Sequence, residues 1–548
     1  MTKIKNIAYM ALVILLVSIF LGCVTKEQPK TTQKNEGMGK EMEKGTGMEP
    51  AQKINLIDRN IAGLDKAKTS QIIELPDGAV FQLEAKPVVK SINGNAIRML
   101  GYNSQIPGPL IKVRQDSSIS VNFTNNLDME TTVHWHGIRL GNKFDGVPEV
   151  TQKPVKPGES FLYKLDFPDE GVYWYHPHMR DDIGQELGLY GNILVEPRSQ
   201  NYFNPVDKEV ALFLDDIKIV NGDVEPFSKD YARFALTGRF GNLMLTNGET
   251  DYQLNVKKGD VVRFYLTSSS NTRPFNFSIE DHKMKSVEMK LVGGDSGKYE
   301  KESFVDSIIL SVSERYIVEV LFDKPGTFRL LNNIPVNYTT AKRTYVLGTV
   351  NVSEATSASQ KPDFFVLKEN TEVIDSIKPF KKYISAKPDY EIDLTIDIMG
   401  DLAKEIASMP RALEPIEWGE DENMALMNSM STSENVKWML KDKATGKENP
   451  NYQMKVGDVK KIRIFNDPKS MHPMQHPMHL HGQRFLVLAQ DGKTNDNLVW
   501  KDTVLVPAGS VVDILVEFTN PGDWLMHCHI PEHAEAGMIA SFNVSQDR

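Results

Sequence analysis

A short segment near the C-terminus carries metal-binding residue types at a spacing that suits a single ion. It reads His527-Cys528-His529 and continues to His533 and Met538. Two imidazoles, one thiolate and a weak thioether form the ligand set of a blue (type 1) copper site. Cys528, His533 and Met538 supply three of these four ligands. The segment therefore predicts a type 1 copper site whose second imidazole comes from elsewhere in the chain.

The two histidines beside Cys528 are predicted to serve a different metal centre. Residues 523–526 read as a strand that leads into them, and side chains on a strand alternate between its two faces. His527 and His529 then point one way and Cys528 the other. One strand is thus expected to touch two metal centres, which the peptide bonds around Cys528 connect.

Three further His-x-His pairs occur in the chain, and residues at i and i+2 share one face of a strand. They are His134/His136, His176/His178 and His479/His481. His476, three residues before His479, completes the type 1 set. Ten of the 12 histidines are then assigned, which leaves His282 and His472. One such pair is a weak indication, but four pairs with a Cys/His/Met cluster predict several metal ions.

These motifs resemble those of the multicopper oxidase family, which includes laccases, ascorbate oxidase and bacterial copper-efflux oxidases. The matching motifs are His134-Trp135-His136-Gly137, His176-Pro177-His178, His476-Pro477-Met478-His479-Leu480-His481-Gly482 and the closing segment from His527 to Met538. The resemblance extends from near Leu75 to the C-terminus. It implies an enzyme that couples one-electron oxidation of a reducing substrate to four-electron reduction of O₂ to water.

The resemblance also assigns ligands to four copper ions. It implies a type 1 ion held by His476, Cys528, His533 and Met538. It implies a type 2 ion held by His134 and His479, and a type 3 pair held by His136, His176, His178, His481, His527 and His529. The type 2 and type 3 ions would form the trinuclear cluster at which O₂ is reduced.

Reduction of O₂ consumes protons, and Asp145 is the first candidate donor. It lies in Phe144-Asp145-Gly146-Val147-Pro148 and matches an aspartate that the family places behind the ligands of the cluster. There it hydrogen-bonds a ligand or a bound water. The alternative role of Asp145 is that of a turn residue before Gly146.

A second proton donor is harder to assign from the sequence. Many family members carry an acid at the places that Pro531 and Ala534 occupy here. Glu535 is the nearest replacement and matches a glutamate found in laccases, and Glu532 is a weaker candidate. We therefore take Glu535, with Asp145, as the predicted catalytic acids.

The metal-binding residues lie within an internal repeat of strand patterns. Three short strands, each followed by a turn and a second strand, begin near Ile111, Leu254 and Met454. Each has a later partner strand, which begins at Gly171, Gly326 or Gly522. Alternating apolar residues broken by Gly, Pro and Asn turns predict a β-sandwich for each copy. We predict an all-β chain, and the resemblance implies three consecutive cupredoxin-like, Greek-key domains.

The predicted domain boundaries follow this repeat. They are 1–22 for a signal peptide, 23–70 for a lipidated cysteine and flexible linker, 71–200 and 201–355 for the first two domains, and 356–548 for the third. The middle domain has Leu331-Asn332-Asn333 where the others carry histidines. It is therefore predicted to bind no copper and to act as a spacer. The trinuclear cluster is expected at the interface of the first and third domains.

Length and charge agree with such a chain. Its 548 residues suffice for about three domains of roughly 150 residues each. A net charge of −10 without long basic runs argues against nucleic-acid binding. Cys23 and Cys528 are the two cysteines, so a copper-bound Cys528 excludes an intramolecular disulfide. Stability must come from burial and metal binding, and we expect a monomer.

The N-terminus reads as a targeting segment. Two lysines precede an apolar run over residues 7–22, which is short for a membrane-spanning helix and suits a secretory signal. The run ends at Gly22-Cys23 and resembles a lipobox, although Phe20 and Leu21 depart from the usual residues. The alternative is an uncleaved anchor. Both interpretations place the catalytic body outside the cytoplasmic membrane, at its outer face or in the cell envelope.

The reducing substrate is least defined by the sequence. In the family it docks beside the type 1 histidines, where one imidazole edge faces solvent. Residues 398–440 carry the methionines Met399, Met409, Met424, Met427, Met430 and Met439. Met424, Met427 and Met430 recur at near-helical spacing, and copper-efflux oxidases have a methionine-rich helix that delivers Cu(I) there. Acids that suit Fe(II) or Mn(II) lie in the same stretch: Glu414, Glu417, Glu420, Asp421 and Glu422.

The alternative for this stretch is core packing for the methionines and a solvated face for the acids. We therefore predict first a laccase-like oxidase of phenolic or aromatic substrates. The second prediction is a metal-ion oxidase for Cu(I), Fe(II) or Mn(II), in copper tolerance or metal homeostasis. A non-catalytic copper-binding or electron-transfer protein is the third, and the complete ligand set argues against it.

The N-terminal interpretation predicts that Cys23 carries lipid. Replacing Cys23 with Ala removes the thiol that would be acylated, so we expect the protein to leave the membrane fraction. Mass spectrometry of the wild-type protein should find an acylated Cys23 as the mature N-terminal residue, and the neighbouring Thr25→Ala variant should keep it. A mature N-terminus at another position, with no acyl mass, would exclude the lipobox.

Overall fold

The structure, a computed structural model, describes residues 58–228, 230–334, 343–356, 363–408, 413–420 and 422–546. The predicted signal peptide, Cys23, most of the linker, Met409, and the side chains of Asp421 and Glu422 lie outside the described residues. In the described ranges, no helix is long and apolar enough to cross a membrane.

The first sandwich is built from nine strands around one apolar core. They are β1 (Ile72–Glu74), β2 (Val80–Ile92), β3 (Asn95–Tyr102), β4 (Leu110–Arg114), β5 (Ser118–Asn125), β6 (His134–His136), β7 (Ser160–Asp166), β8 (Gly171–His176) and β9 (Gly191–Glu196). A 3-10 helix, Asn142–Phe144, follows β6, and helix α1 (Asp181–Gly184) follows β8. The sheet orders are β1-β4-β9-β8-β6 and β3-β2-β5-β7. Along β5 every second side chain is buried, because successive side chains point to opposite faces.

The second sandwich repeats this plan. Its strands are β10 (Lys208–Ile217), β11 (Ile219–Val220), β12 (Asp223–Val224), β13 (Leu243–Thr246), β14 (Gln253–Lys258), β15 (Asp260–Ser268), β16 (Phe275–Glu280), β17 (Met289–Gly294), β18 (Gly297–Val305), β19 (Ser307–Leu310), β20 (Arg315–Phe322), β21 (Gly326–Ile334) and β22 (Arg343–Thr356). The main sheets have the orders β13-β10-β15-β20-β17-β18 and β14-β22-β21-β16-β19. They enclose a separate apolar core.

The third sandwich carries most of the helical residues. Its strands are β23 (Tyr390–Ile398), β24 (Val436–Asp442), β25 (Asn451–Lys455), β26 (Val459–Asn466), β27 (His476–Leu480), β28 (Phe485–Gln490), β29 (Lys493–Thr494), β30 (Trp500–Lys501), β31 (Thr503–Val506), β32 (Val511–Glu517), β33 (Gly522–Cys528) and β34 (Ile539–Ser545). Its helices are α2 (Thr371–Ile377), a 3-10 helix (Lys378–Tyr383), α3 (Gly400–Ser408), α4 (Glu422–Met430) and α5 (Pro531–Glu535). The sheet orders are β24-β23-β26-β32-β28-β29, with β30 beside β28, and β25-β34-β33-β27-β31.

The predicted internal repeat is confirmed by strand pairing. In each sandwich a short strand pairs in parallel with the last strand, which pairs antiparallel with the strand that begins at glycine. These triplets are β4-β9-β8, β14-β22-β21 and β25-β34-β33. The strands that lead into the His176 and His527 motifs, β8 and β33, are therefore equivalent members of two copies.

The histidine strands pair within their own sandwiches. His134 lies opposite His176 where β6 pairs with β8. His479 lies opposite His527 where β27 pairs with β33. Each of the two sandwiches thus presents two adjacent histidine-bearing strands, as the predicted interface requires.

The chain meets the first sandwich before β1 begins. The Ala67 amide donates to the Val89 carbonyl at 2.7 Å, and the Lys68 amide donates to the Ser104 carbonyl at 2.8 Å. The last residues of the predicted 23–70 linker therefore lie against the domain. The predicted boundaries at 200/201 and 355/356 stay predictions.

Candidate metal centres

The histidines of the sequence motifs meet in a few tight groups. Among the described residues, five sets of three side chains bring one ligand atom each to within 4.8 Å of one another. The sets are His476/Cys528/His533, His136/His176/His529, His178/His481/His527, His134/His136/His479 and His134/Asp145/His481. All ten predicted histidine ligands and Cys528 belong to these sets. The six histidines expected at the type 3 pair fall into two sets of three, a division that the sequence did not provide.

The group around Cys528 has the geometry expected of a type 1 site. Its Sγ lies 3.5 Å from Nδ1 of His476 and 3.7 Å from Nδ1 of His533, and these nitrogens are 3.3 Å apart. Met538 is fully buried, and its carbonyl accepts the Cys528 amide at 3.2 Å. His476, Cys528 and His533 are thus brought together, with both imidazoles turning Nδ1 to the thiol, and Met538 lies in the same buried core as Cys528.

Burial shifts the pKa values of these side chains in directions that favour binding of a metal ion over binding of a proton by the imidazoles. It lowers the pKa of His476 to about 3, so the imidazole is neutral and keeps a free lone pair. Burial also raises the pKa of the Cys528 thiol, which would ionise only beside a cation. Neutral imidazoles with a thiol that needs a cation fit copper well.

Both type 1 histidines are covered, which corrects the expectation of a solvent-facing imidazole edge. His476 is 1% exposed and His533 is 0% exposed. The ring of Trp438 covers them at centroid distances of 4.8 and 4.3 Å, and its Nε1 donates to the Ala235 carbonyl at 2.6 Å. A segment of the middle domain therefore closes over the site, which the third-domain motifs alone did not indicate.

Helix α4 lies on top of this middle-domain segment. The Asn428 amide group donates to the Gly238 carbonyl at 2.9 Å, and the Leu236 amide donates to Ser431 Oγ at 3.1 Å. The helical spacing predicted for the methionines is confirmed. Met427 is buried in the core that contains Trp438, whereas Met430 is 41% exposed.

The remaining eight histidines present lone pairs that no protein group satisfies. Nε2 of His134, His176, His178 and His479, Nδ1 of His136 and both ring nitrogens of His529 are buried without a hydrogen-bond partner. His481 and His527 face each other through Nε2 atoms that are 2.9 Å apart. Each unsatisfied buried polar group costs about 1–3 kcal/mol, so the cluster is costly without a cation. The donor set fits a group of copper ions.

Two aspartates orient these rings in the same way, each through its main-chain carbonyl and its carboxylate. The Asp145 carbonyl accepts Nδ1–H of His134 at 2.8 Å, and its carboxylate accepts Nδ1–H of His481 at 2.8 Å. Asp145 thereby fixes one histidine of the first sandwich and one of the third. The structure thus places Asp145 behind the ligand rings, where it was predicted to lie. A role in the turn before Gly146 alone does not account for its two hydrogen bonds to these rings.

Asp502 is the counterpart from the third sandwich, and sequence reasoning missed it. Its carbonyl accepts Nδ1–H of His479 at 2.9 Å, and its Oδ1 accepts Nε2–H of His136 at 3.0 Å. Asp145 and Asp502 thus each hold one ring through the main chain and one through the carboxylate. No local signal pointed to it, because Asp145 follows β6 within one loop, whereas Asp502 lies between β30 and β31 and is separated from the histidine strand β27 by three strands.

The acids beside His533 lie apart from these groups. Loss of hydration and the nearby Asp182 raise the pKa of Glu535 to about 7, although its side chain is accessible to solvent. Glu532 is fully buried with both carboxyl oxygens unpaired, and burial raises its pKa well above the usual range. Of the two predicted catalytic acids, the structure brings Asp145 into contact with ligand rings and leaves Glu535 outside the metal-binding sets of the described residues.

Comparison with known proteins agrees with these centres. Three family models described as multicopper oxidase match residues 85–200, 219–355 and 420–548. The chain is 25% identical over 463 residues to multicopper oxidase mco of Staphylococcus aureus, which covers 83% of this chain and 85% of that protein. It is 27% identical over 522 residues to laccase-1 of Botryotinia fuckeliana, with coverage of 89% and 86%.

A solved structure has the same architecture. The crystal structure of a multi-copper oxidase from Pseudomonas thermotolerans superposes with a TM-score of 0.62 at 25% identity. The match covers 86% of this chain and all of that chain. The predicted all-β fold of three cupredoxin-like domains is thereby confirmed.

The buried neutral histidines predict that the copper-free protein loses stability in mild acid. Burial lowers the pKa of His178 and His476 to about 3, against 6.5 for an exposed histidine. Between these values the unfolded chain binds protons that the folded chain excludes, so stability present above pH 6.5 is lost as pH falls. Each such histidine contributes up to about 1.4 kcal/mol per pH unit. Acids whose pKa burial raises act in the opposite direction, among them Glu186 and Glu535, each to about 7, and Glu532. Among the described residues, nine histidines with a lowered pKa outnumber the seven acids with a raised one.

Melting temperatures of the copper-free protein from pH 7.5 to 5 check this expectation. They should fall steadily with pH, and a His476→Gln variant should fall less steeply. His282 is exposed and belongs to none of the metal-binding sets, so His282→Gln should match the wild-type slope. A melting temperature that stays level across this range would contradict the assignment of buried, neutral imidazoles.

Proposed function

Because the chain belongs to the multicopper oxidase family, we propose that it oxidises a reducing substrate one electron at a time and reduces O₂ to water. The observation that carries this proposal is the position of Cys528 in one metal-binding set and of its two neighbours in two others. Consecutive residues therefore link the site that receives electrons to the site that uses them. The enzyme is an oxidoreductase with copper as its cofactor.

The ligands in this proposal are those of the sequence motifs, divided as the five sets suggest. His476, Cys528, His533 and Met538 would hold the type 1 ion, His134 and His479 the type 2 ion, and the sets His136/His176/His529 and His178/His481/His527 one type 3 ion each. When bound, copper would take single electrons from the substrate and pass four of them, with four protons, to one O₂, which yields two water molecules.

The protein's own part in O₂ reduction is to hold the rings and to supply protons. Asp145 fixes His481 through Oδ2, while its Oδ1 is buried without a hydrogen-bond partner and lies 3.3 Å from Nδ1 of His134. This free oxygen can hold a proton or a water beside the cluster. Glu535, with a pKa of about 7 and access to solvent, can exchange protons at neutral pH.

Two substrate classes fit the type 1 site to different degrees. The sequence alone favoured a phenol, which would have to approach His476 or His533 closely. Trp438 and the segment around Ala235 cover both rings, so a planar aromatic substrate has no exposed imidazole edge to meet. This closure favours the second class, a metal ion that donates its electron from the protein surface.

The side chains above Trp438 are those that a soft metal ion prefers. Met399 is 49% and Met430 41% exposed, and Asn435 links them by hydrogen bonds to both main chains. Met424 is half-buried and Met427 is buried against the core that holds Trp438. Thioethers that are exposed at Met430, half-buried at Met424 and buried at Met427 support Cu(I) as the donor, because thioether sulfur is a soft ligand.

The acids of this region support Fe(II) or Mn(II) less strongly. Glu420 is paired with Lys218 at 2.7 Å and accepts a hydrogen bond from Asn428 at 3.1 Å. Glu420 is therefore already engaged within the protein, although it shares Lys218 with Glu225, which lies 3.5 Å from the ammonium. We keep the proposals that the chain is exported, anchored in lipid through Cys23 and monomeric, with O₂ and a small reducing substrate as its partners.

Steady-state turnover of Cu(I), Fe(II) and a phenol on one copper-loaded preparation tests the substrate class. Oxygen consumption should be highest with Cu(I). A phenol turned over faster than any metal ion would restore the laccase-like proposal. No oxygen consumption with any of the three donors would contradict the oxidase proposal itself.

Replacing Met424, Met427 and Met430 together with Leu should lower Cu(I) oxidation at least about tenfold while phenol oxidation holds or rises. Leu keeps the apolar volume, so the folding cost is on the order of 1 kcal/mol or less per site, but it has no sulfur to bind Cu(I). Met284→Leu is the matched control, since Met284 is 74% exposed on the middle domain. Unchanged Cu(I) oxidation in a folded triple variant would indicate that the three methionines serve only to pack the core.

A further inference from the structure

Asp502, which orients His136, is itself held by an arginine of the middle domain. Nη1 of Arg315 donates to Asp502 Oδ1 at 2.6 Å, and Nη2 donates to Asp502 Oδ2. Both side chains are completely buried. A bidentate arginine–carboxylate pair is the strongest and most directional form of this interaction, and burial removes the competition from water.

The rest of the guanidinium is fixed to the surrounding main chain. Nε of Arg315 donates to the Val172 carbonyl of the first sandwich at 2.7 Å, and Nη1 also donates to the Ser313 carbonyl at 2.9 Å. The arginine therefore touches all three sandwiches at one point. Gly137, directly after His136, leaves room for it: a Cβ there would lie 2.3 Å from Asp502 Oδ2 and 2.9 Å from Arg315 Nη2.

The main chains at Arg315 and Asp502 are also held together, in this case by a carboxylate that accepts both of their amides. Asp295 of the middle sandwich accepts the Arg315 amide at 2.8 Å and the Asp502 amide at 3.2 Å. Its carboxylate also lies 3.3 Å from the Lys501 ammonium. The backbone that carries Asp502 is thus attached to the middle sandwich independently of the guanidinium.

This arrangement determines which nitrogen of His136 carries its proton. A carboxylate that already accepts two guanidinium N–H groups has only acceptor capacity to offer, so His136 must donate through Nε2. The lone pair then lies on Nδ1, which is buried and has no protein partner, so it is the nitrogen of His136 that is free to bind a metal. Rotation or tautomer exchange of the ring would break the hydrogen bond between His136 and Asp502.

We propose that Arg315 is a positioning residue of the trinuclear site, which acts through Asp502 to fix the orientation and tautomer of His136. The proposal rests on the assignment of His136 to the type 3 pair. Under this proposal the middle domain does more than act as the predicted spacer, because it holds a residue on which a metal ligand depends.

Copper content and spectra of an Arg315→Met variant test this role. Met keeps much of the volume and removes every donor, so the affinity for the copper held by His136 should fall about 10–100-fold, as is typical when a group behind a metal ligand is lost. The blue type 1 absorption should remain, because its ligands do not touch Asp502. Chelator titrations measure this copper affinity. Three signals follow the loss of copper: the copper content, the near-ultraviolet absorption of the type 3 pair and the electron paramagnetic resonance of the type 2 ion.

Arg263→Met is the matched control. Arg263 is also a buried arginine of the middle sandwich and pairs with Glu319 at 2.6 Å. Its other hydrogen bonds go to Glu209 and to the Asn204 carbonyl, which belong to none of the metal-binding sets found among the described residues. It should keep all copper signals. An Arg315→Lys variant, which retains one cationic donor, should recover part of the lost affinity.

Asp502→Asn decides the question if Arg315→Met fails to fold. A blue Asp502→Asn protein that loses type 3 copper supports the proposal, and one that binds type 3 copper with wild-type affinity overturns it. Wild-type type 3 copper in a folded Arg315→Met protein, or equal loss of type 1 and type 3 copper, also overturns it. The proposed function fails separately, if the wild-type protein itself shows no type 3 copper.

Discussion

The structure depends on one costly arrangement, the burial of ten imidazoles with lone pairs that face one another. Most of these nitrogens find no hydrogen-bond partner in the protein, and burial lowers the pKa of rings such as His176 and His529 and keeps them neutral. Such a cluster costs free energy of folding unless cations satisfy it. Because its members come from the first and third sandwiches, the copper that satisfies it also joins two domains.

Orientation of the rings is distributed over all three domains. Asp145 and Asp502 each hold one ring from the first sandwich and one from the third, so neither half of the cluster is shaped by its own domain alone. The middle domain adds Arg315 behind Asp502 and the segment around Ala235 above Trp438. None of its described residues belongs to a metal-binding set, yet it contacts Asp502 behind His136 and Trp438 beside the type 1 histidines.

Local sequence patterns predicted the ligands and the repeat but not their support. Pairs such as His134/His136 are recognisable because strand geometry places i and i+2 on one face. Arg315 and Asp502 are 187 positions apart and carry no local pattern, so only the packed structure joins them. The closed type 1 site was missed for the same reason, since the residues above His533 come from another domain. Met427 illustrates a partial success: its helix was predicted, while its burial depends on contacts with Trp438 and Ala235.

In the proposed function, Cys528 binds the copper that receives electrons, and its neighbours His527 and His529 bind the copper that reduces O₂. The most direct measurement is the visible absorption and O₂ consumption of a copper-loaded Cys528→Ser protein. Serine removes the thiolate and leaves His527 and His529 in place. We expect this variant to lose the blue band and its activity with every electron donor, while the trinuclear copper is retained. A Cys528→Ser protein that is blue and active would contradict this expectation.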